Sequence, residues 1–503
     1  MPPERRPPEE PAFPSPRERA ALIAIVAVAA LLRLWDLGRF SIWLDEAASR
    51  EFTLYGFRHA IAAEMNHPPL YRIVLWLATR AIGESEFALR LPSALFSTLA
   101  VPAVHALARS LLLRTEIRLL AALLAAASPF EIFLGQEARA YPLVILLAAL
   151  HLASFARLAG GARPAREWVV FAATGLLGLY GFYLFGLLLA GEFVAALLFG
   201  APRVRPLLAS LGTIALAFSP WAVKFALSVG TQERDYIGGL AARFFAWPFR
   251  TVVGPSLAVV NWPPPPDTAA FVLAHLPETL AFLVAVPGPL LLGFACLLRE
   301  KGVRGKAVVV AWAATPALLA AGYAAMPLFH ERYLSFLTPV FHVALATGLA
   351  RLRTRFSRWT VTGLLAALVL LSLRNLYGED TGYGREEWRE AAAVVEAGRR
   401  PGDVVALHKP YVDIAWNYYY HPDEGEPEPV RLPAGRGTIG DLSPHSADVI
   451  ARARRVWLVL AHTWDTGDAW RVEFARAFGE ERREVILPLS HGIRLHLFER
   501  GGR

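Results

Sequence analysis

The chain is poor in cysteine, holding one in 503 residues, and that single residue excludes any intramolecular disulfide framework. Cys296 falls inside an apolar run, where it reads as a small packing residue. Charged residues are also scarce, at 19%, while 55% are hydrophobic and the mean hydropathy is +0.38. With repeated apolar runs, that balance describes a polytopic membrane protein rather than one long soluble domain. The last portion of the chain has no glycine-rich phosphate loop and no Cys/His metal spacing, which removes the usual nucleotide and zinc signatures there. The formal charge of +8 does not point to nucleic acid, because the arginines lie in short clusters between apolar runs, where membrane orientation accounts for them.

No small-residue cleavage site follows the first apolar run, residues 20–34; Arg33-Leu34-Trp35-Asp36 stands there instead. The run is therefore read as an uncleaved transmembrane helix, preceded by a disordered cytoplasmic tail, residues 1–19, rich in Pro, Glu and Arg. Six basic stretches, at 5–19, 109–118, 157–166, 203–205, 299–306 and 351–358, are assigned to the cytoplasm by the positive-inside rule. Spans at 20–34, 90–112, 118–135, 140–157, 167–184, 185–200, 206–226, 271–298, 307–325, 333–350 and 359–376 give the alternation those stretches require. The expected architecture is thus an α-helical polytopic membrane protein of about eleven transmembrane helices, residues 20–376, followed by a soluble α/β domain, residues 377–503. The shorter apolar stretch 67–82, with Arg72 and Arg80, is read as an interfacial helix that does not cross.

This alternation puts several segments on the outer face: 37–89, a long aromatic and proline-rich loop at 227–270, a tight turn at 326–333, and the C-terminal domain. The loop suits a segment lying on the headgroup layer and equally suits a structural lid. In the C-terminal domain the patterning predicts a helix over 386–398, buried strands over 403–407 and 455–460, a helix over 468–478 and a closing hairpin of 484–487 with 493–498. The run Trp416-Asn417-Tyr418-Tyr419-Tyr420 suits a sugar platform, but an aromatic-rich core segment is preferred. Glu192, inside an apolar span, is read as a solitary structural residue despite the functional default for intramembrane acids.

Two acidic clusters share the outer face: Asp45-Glu46, just past the first span, and Gln136-Glu137-Ala138-Arg139-Ala140-Tyr141, at the end of the third. Together with Trp43-Leu44, His67-Pro68-Pro69-Leu70-Tyr71, Glu86-Phe87-Ala88-Leu89-Arg90-Leu91-Pro92 and Arg332-Tyr333, they resemble the bacterial membrane glycosyltransferases related to protein O-mannosyltransferases, whose members include the transferase that adds aminoarabinose to lipid A. The resemblance covers most of the membrane region and rests on the order of the motifs. It implies the GT-C glycosyltransferase fold, a polyprenyl-phosphate-linked sugar donor, and inverting transfer to an acceptor hydroxyl of a lipid, glycan or protein. It also implies a protein of the cytoplasmic (cell inner) membrane, with its site on the outer face.

Such a transfer needs a base for the acceptor hydroxyl, cations for the departing phosphate and an apolar groove for the lipid. Asp45 is the candidate base, a carboxylate at the membrane interface whose pKa desolvation would raise. Asp45 and Glu46 also suit the start of a helix, where acids are favoured; the ordered motifs tip the reading to catalysis. Glu46 orients Asp45, binds acceptor or solvates the loop. Glu137 is assigned to sugar or acceptor and Arg139 to the phosphate through a forked contact, with Tyr141 beside them. His330 and Arg332, followed by Tyr333, form a second cationic pair for the donor phosphate, and His67 is a donor-site residue or an ordinary cap. The resemblance leaves a divalent metal between the two acidic clusters open, as in related oligosaccharyl transferases, whereas members with monophosphate donors do without one; no metal ligand is assigned. The rival readings are a transporter or flippase for a lipid-linked sugar, with charges at mid-membrane and related halves, and a non-catalytic envelope assembly protein.

Overall fold

A computed structural model describes residues 14–62, 67–161, 164–228, 247–248, 251–252, 275–322, 330–378, 386–422, 424–435, 437–462, 468–479, 481–487 and 493–500. Most of the predicted loop 227–270, the first residues of the turn at 326–333, and tail residues 1–13 lie outside them. The first helix, α1 (Pro16–Leu34), starts earlier than the sequence pattern predicts. The Ser15 hydroxyl accepts from the Glu18 amide, Pro16 occupies the first turn, and the Glu18 carboxylate is buried against His105 and Arg118. Residues 16–19 therefore belong to the bundle, not to a disordered tail.

From there the chain runs through α2 (Leu44–Leu54), α3 (Phe57–Ala62), α4 (Leu70–Ile82), α5 (Glu86–Ser110), α6 (Thr115–Ala127), α7 (Pro129–Gly135), α8 (Tyr141–Ala159), α9 (Ala165–Gly181), α10 (Phe185–Phe199) and α11 (Val204–Ser228). It continues through α12 (Leu276–Ala285), α13 (Pro287–Glu300), α14 (Gly302–Gly322), a 3-10 turn over Glu331–Leu337, α15 (Thr338–Ala350) and α16 (Arg355–Tyr377). Every predicted span coincides with a helix or a broken helix. Among the described residues, seven are long and apolar enough to cross a membrane, or eight if α6 and α7, bent by 54° at Ser128-Pro129, count as one. The helices α1, α9 and α10, over the predicted spans 20–34, 167–184 and 185–200, fall short in length or carry charge at their ends. Helix α4 has 13 residues, about 20 Å of helix against about 30 Å of hydrocarbon. Close approach in the bundle uses glycine: a Cβ on Gly348 would lie 1.7 Å from the Pro289 carbonyl oxygen, so α13 and α15 meet backbone to backbone.

Contacts divide the bundle into two ends. At one, Lys301 donates to the Leu112 carbonyl (2.9 Å), Arg304 to that of Ser110 (3.0 Å), and Arg351 pairs with Glu300, beside the Glu18, His105 and Arg118 group. Four of the predicted basic stretches thus contribute to one end. The acidic clusters lie at the other.

Inside the bundle, the expectation that Glu192 is solitary is overturned. His151 on α8 bonds Glu192 Oε2 (3.0 Å) through Nε2 and Thr174 Oγ1 (2.9 Å) through Nδ1, all buried. A 41-residue separation hides this pairing from sequence inspection. A second buried group joins Glu131 to Thr338 (2.7 Å) and His342 (2.9 Å), with Arg33 nearby at 4.0 Å.

The C-terminal domain forms a five-stranded sheet of order β2-β1-β3-β5-β4, with β1 (Val404–His408) parallel to β2 (Val430–Arg431) and β3 (Arg455–Leu460), and β5 (Arg494–Glu499) antiparallel to β3 and to β4 (Glu481–Ile486). Alternation along β3 gives each face a core. Val456, Leu458 and Leu460 pack with Trp470 and Phe474 of α20 (Ala469–Phe478) and with Ile450 of α19 (Pro444–Arg452). Trp457 and Val459 share the other core with Trp388 of α17 (Trp388–Gly398), Trp416 of α18 (Asp413–Tyr419), and Ile42, Tyr71 and Leu143 of the bundle. This second core fuses domain and bundle. Trp416 and Tyr420 are buried in it, while Tyr418 and Tyr419 reach across to Glu84 and Glu86, so the aromatic run serves core and joint.

Candidate active site

Helix α2 opens at the non-basic end of the bundle with Asp45 and Glu46 in its first turn, where acids complement the helix dipole. Neighbouring residues on a helix point about 100° apart, so the two carboxylates face different surroundings. Glu46 turns inward and is fully buried. Its oxygens accept from Arg90 Nε and Nη2, both at 2.7 Å, from the Ala138 amide (2.8 Å) and from the Trp43 amide (3.3 Å). Arg90 also donates to the carbonyls of Leu37, Phe40 and Ser41. This forked pair ties the loop before α2, the start of α5 and the turn between α7 and α8 into one unit.

Asp45 turns the other way, its side chain 34% exposed. Its Oδ2 faces Arg332 Nη1 at 3.2 Å and Arg139 Nη2 at 3.5 Å, and its own carbonyl accepts from Arg139 Nη1 (3.1 Å). The guanidiniums come from separate places: Arg139 from the α7–α8 turn and Arg332 from the 3-10 turn after α14. Burial works against ionisation of Asp45, but Arg139 and then Arg332 outweigh it and hold the carboxyl below the usual aspartate range. The sequence-based expectation of a raised pKa is therefore reversed, because no single-sequence pattern reveals that both arginines converge on one oxygen. Burial would also lower the pKa of Arg139, yet Asp45 raises it.

His67 approaches Arg139 Nη2 through Nε2 at 3.4 Å. A guanidinium only donates, so Nε2 is the acceptor and the imidazole is neutral. Burial and Arg139 push its pKa down to about 3. Around this centre, Trp43 and Tyr141 present rings to Arg332, with centroids 5.1 and 6.0 Å from its guanidinium carbon, and Tyr141 also faces Arg139 at 6.0 Å. His330 Nδ1 accepts from the Arg332 amide and Nε, both 3.3 Å, which fixes the guanidinium's approach. Tyr333 packs against Phe182 and His330, one step back from the charged groups. Glu137 is buried, accepts the Arg139 amide on its carbonyl (2.8 Å) and adds negative charge beside Arg139.

The structure thus gathers Asp45, His67, Arg139, Tyr141, His330 and Arg332 at one place, with Glu46, Glu137 and Tyr333 in supporting positions. Sequence inspection missed the structural weight of Arg90, Trp43 and Ser93. Ser93 bridges Tyr71 Oη (2.7 Å) and the Arg139 carbonyl (2.9 Å); it stands one residue past the Glu86-to-Pro92 motif, and no sequence signal marked it. The donor set does not suit a divalent cation. Two guanidiniums already take Asp45 Oδ2, Glu46 is consumed by Arg90, and among the described residues the one converging His/acid trio, Glu481, Glu484 and His496, belongs to the C-terminal sheet.

These features describe a multi-pass membrane protein with the GT-C fold, and part of the chain is similar to the protein O-mannosyltransferases. The sequence model of the dolichyl-phosphate-mannose-protein mannosyltransferase family matches residues 66–223, a stretch holding His67, Glu137, Arg139 and Tyr141. Among solved structures, ArnT from Cupriavidus metallidurans in the apo state superposes with a TM-score of 0.57 at 13% identity, covering 97% of this chain and 100% of ArnT. Its form bound to undecaprenyl phosphate gives 0.55 at 12% identity, covering 96% and 99%. The Archaeoglobus fulgidus oligosaccharyltransferase in the apo form gives 0.52 at 14%, covering 96% of this chain and 73% of that one. No curated protein sequence matches the chain.

Proposed function

We propose that the chain is an integral membrane glycosyltransferase that moves a sugar from a polyprenyl-phosphate donor to the hydroxyl of a lipid, glycan or protein acceptor. The observation that carries this reading is the partly exposed Asp45 carboxylate shared by Arg139 and Arg332. The binding of undecaprenyl phosphate by the ArnT relative supports a lipid-linked donor.

In the proposed reaction the acceptor oxygen attacks the anomeric carbon, the bond from that carbon to the phosphate oxygen breaks, and Asp45 takes the hydroxyl proton. The donor phosphodiester carries one negative charge and the departing polyprenyl phosphate approaches two, so the charge gained at phosphate is met by Arg139 and Arg332. Engagement of those guanidiniums by phosphate draws them from Asp45 Oδ2 and raises the basicity of the carboxylate when the acceptor arrives. Neutral His67 adds no competing charge and accepts from Arg139 as the guanidinium turns. A single displacement inverts the anomeric centre.

The site lies at the end of the bundle opposite the basic loops. With those loops in the cytoplasm, the site and the C-terminal domain face the outside of the cytoplasmic membrane. The reading is tested by incubating the purified protein with a panel of polyprenyl-phosphate sugars and a membrane extract. Release of free polyprenyl phosphate from one donor, followed by mass spectrometry, is the expected result. Folded protein that releases none from any donor refutes it.

A further inference from the structure

Helix α2 lacks the side-chain cap that its position demands. The first amides of a helix have no partner within it, and Ser, Thr, Asp or Asn before the first turn normally supplies one. Trp43 stands at that place and offers no acceptor to Leu44 or Asp45. The Leu44 amide donates instead to Glu386 Oε2 at 3.0 Å, from a residue 342 positions later, at the start of the C-terminal domain.

Glu386 is held from both sides. Its Oε2 also accepts from Trp388 Nε1 (2.5 Å), on a fully buried ring, and its Oε1 accepts from His462 Nε2 (2.8 Å). His462 follows β3 with its backbone in the left-handed region, φ +54°, where a non-glycine residue stays only when its surroundings determine it. The Tyr411 hydroxyl lies 3.3 Å from its Nδ1. Tyr411, His462, Glu386 and the Leu44 amide therefore form one chain of contacts, ending one residue before Asp45.

We propose that Glu386, oriented by His462, is a positioning residue for sugar transfer: the C-terminal domain supplies the missing cap of α2 and so fixes the direction of the Asp45 carboxylate between Arg139 and Arg332. This rests on the reading of Asp45 as the base. The Glu386 carboxylate does not touch substrate; it acts through the first turn of α2. The domain joint has other bonds, such as Ser41 Oγ to Glu390 Oε2 (2.8 Å), that hold the two parts together without reaching the α2 amides.

The test uses the purified full chain and compares Glu386→Ala, Glu386→Gln and Glu390→Ala with the unaltered protein by amide hydrogen exchange across residues 42–49 and by steady-state release of polyprenyl phosphate. Glu386→Ala is expected to speed exchange in that segment and to lower kcat by about ten-fold or more, with KM for the donor within about two-fold, because misplacement of a base costs turnover rather than binding. Glu386→Gln keeps an acceptor oxygen for Leu44 and should restore both readouts most of the way. Glu390→Ala should change neither. Unchanged exchange in Glu386→Ala, unchanged turnover despite faster exchange, or an equal loss in Glu390→Ala overturns the proposal. Failure of the underlying reading shows separately, as full turnover in Asp45→Asn.

Discussion

Two regions of this molecule bury ionisable side chains, and they do so differently. Within the bundle, His151 with Glu192, and Glu131 with His342 and Thr338, are sealed from solvent and matched to partners on neighbouring helices. At the start of α2, one partly exposed carboxylate is shared by two guanidiniums that meet it from distant segments. The first arrangement holds helices together. In the proposed reaction the second leaves cationic charge ready to turn toward a phosphate. Burial of charge is therefore a poor marker of chemistry in this fold; sharing of one charged group at an accessible place is the better one.

The sharpest way to break that contrast is to remove the shared partners. The double substitution Arg139→Gln/Arg332→Gln should lower kcat/KM by roughly 10³-fold or more, since one lost electrostatic contact to a developing oxyanion typically costs 10²–10³. Thermal unfolding should move little beside that loss. The neighbour of Asp45 should behave in the opposite way. Glu46→Ala strands the buried Arg90 guanidinium and should cost about 3–5 kcal/mol of stability, measured by unfolding in detergent, before any specific effect on turnover.

A pH series sharpens the same comparison. Because Asp45 has a depressed pKa, its carboxylate form is present above the usual aspartate value and is lost only as pH falls through the lower, folded value. The kcat/KM profile should therefore show no acid limb from Asp45 between about pH 5 and 7. Arg332→Gln alone should move that limb upward. The smallest effect belongs to the bundle interior: His151→Leu/Glu192→Leu, which removes both partners at once, should leave turnover within about two-fold and unfolding close to that of the unaltered chain.

Much of the fold was legible in the sequence because it is written in local periodicity. The apolar runs marked the helices, and continuous apolar stretches marked β1 and β3, whose residues are buried along their whole length. The start of α1 was misread because Glu18 pairs with His105 and Arg118, both far along the chain. The two-residue strand β2 and helices α18 and α19 carry too short a pattern to stand out. At the site, the residue types and their order pointed to Asp45, Arg139 and Arg332. Their electrostatics did not, since the direction of the Asp45 shift depends on contacts 94 and 287 residues away. The division of labour between Asp45 and Glu46 likewise follows from which face of α2 meets Arg90.

The most direct test sets one acid from each region side by side: polyprenyl phosphate release by Asp45→Asn and by Glu192→Gln, in detergent-purified protein of equal folded fraction. Asp45→Asn is expected to lose at least about 100-fold in turnover while Glu192→Gln stays near the unaltered rate. Full turnover in Asp45→Asn, or a comparable loss in Glu192→Gln, would contradict that expectation.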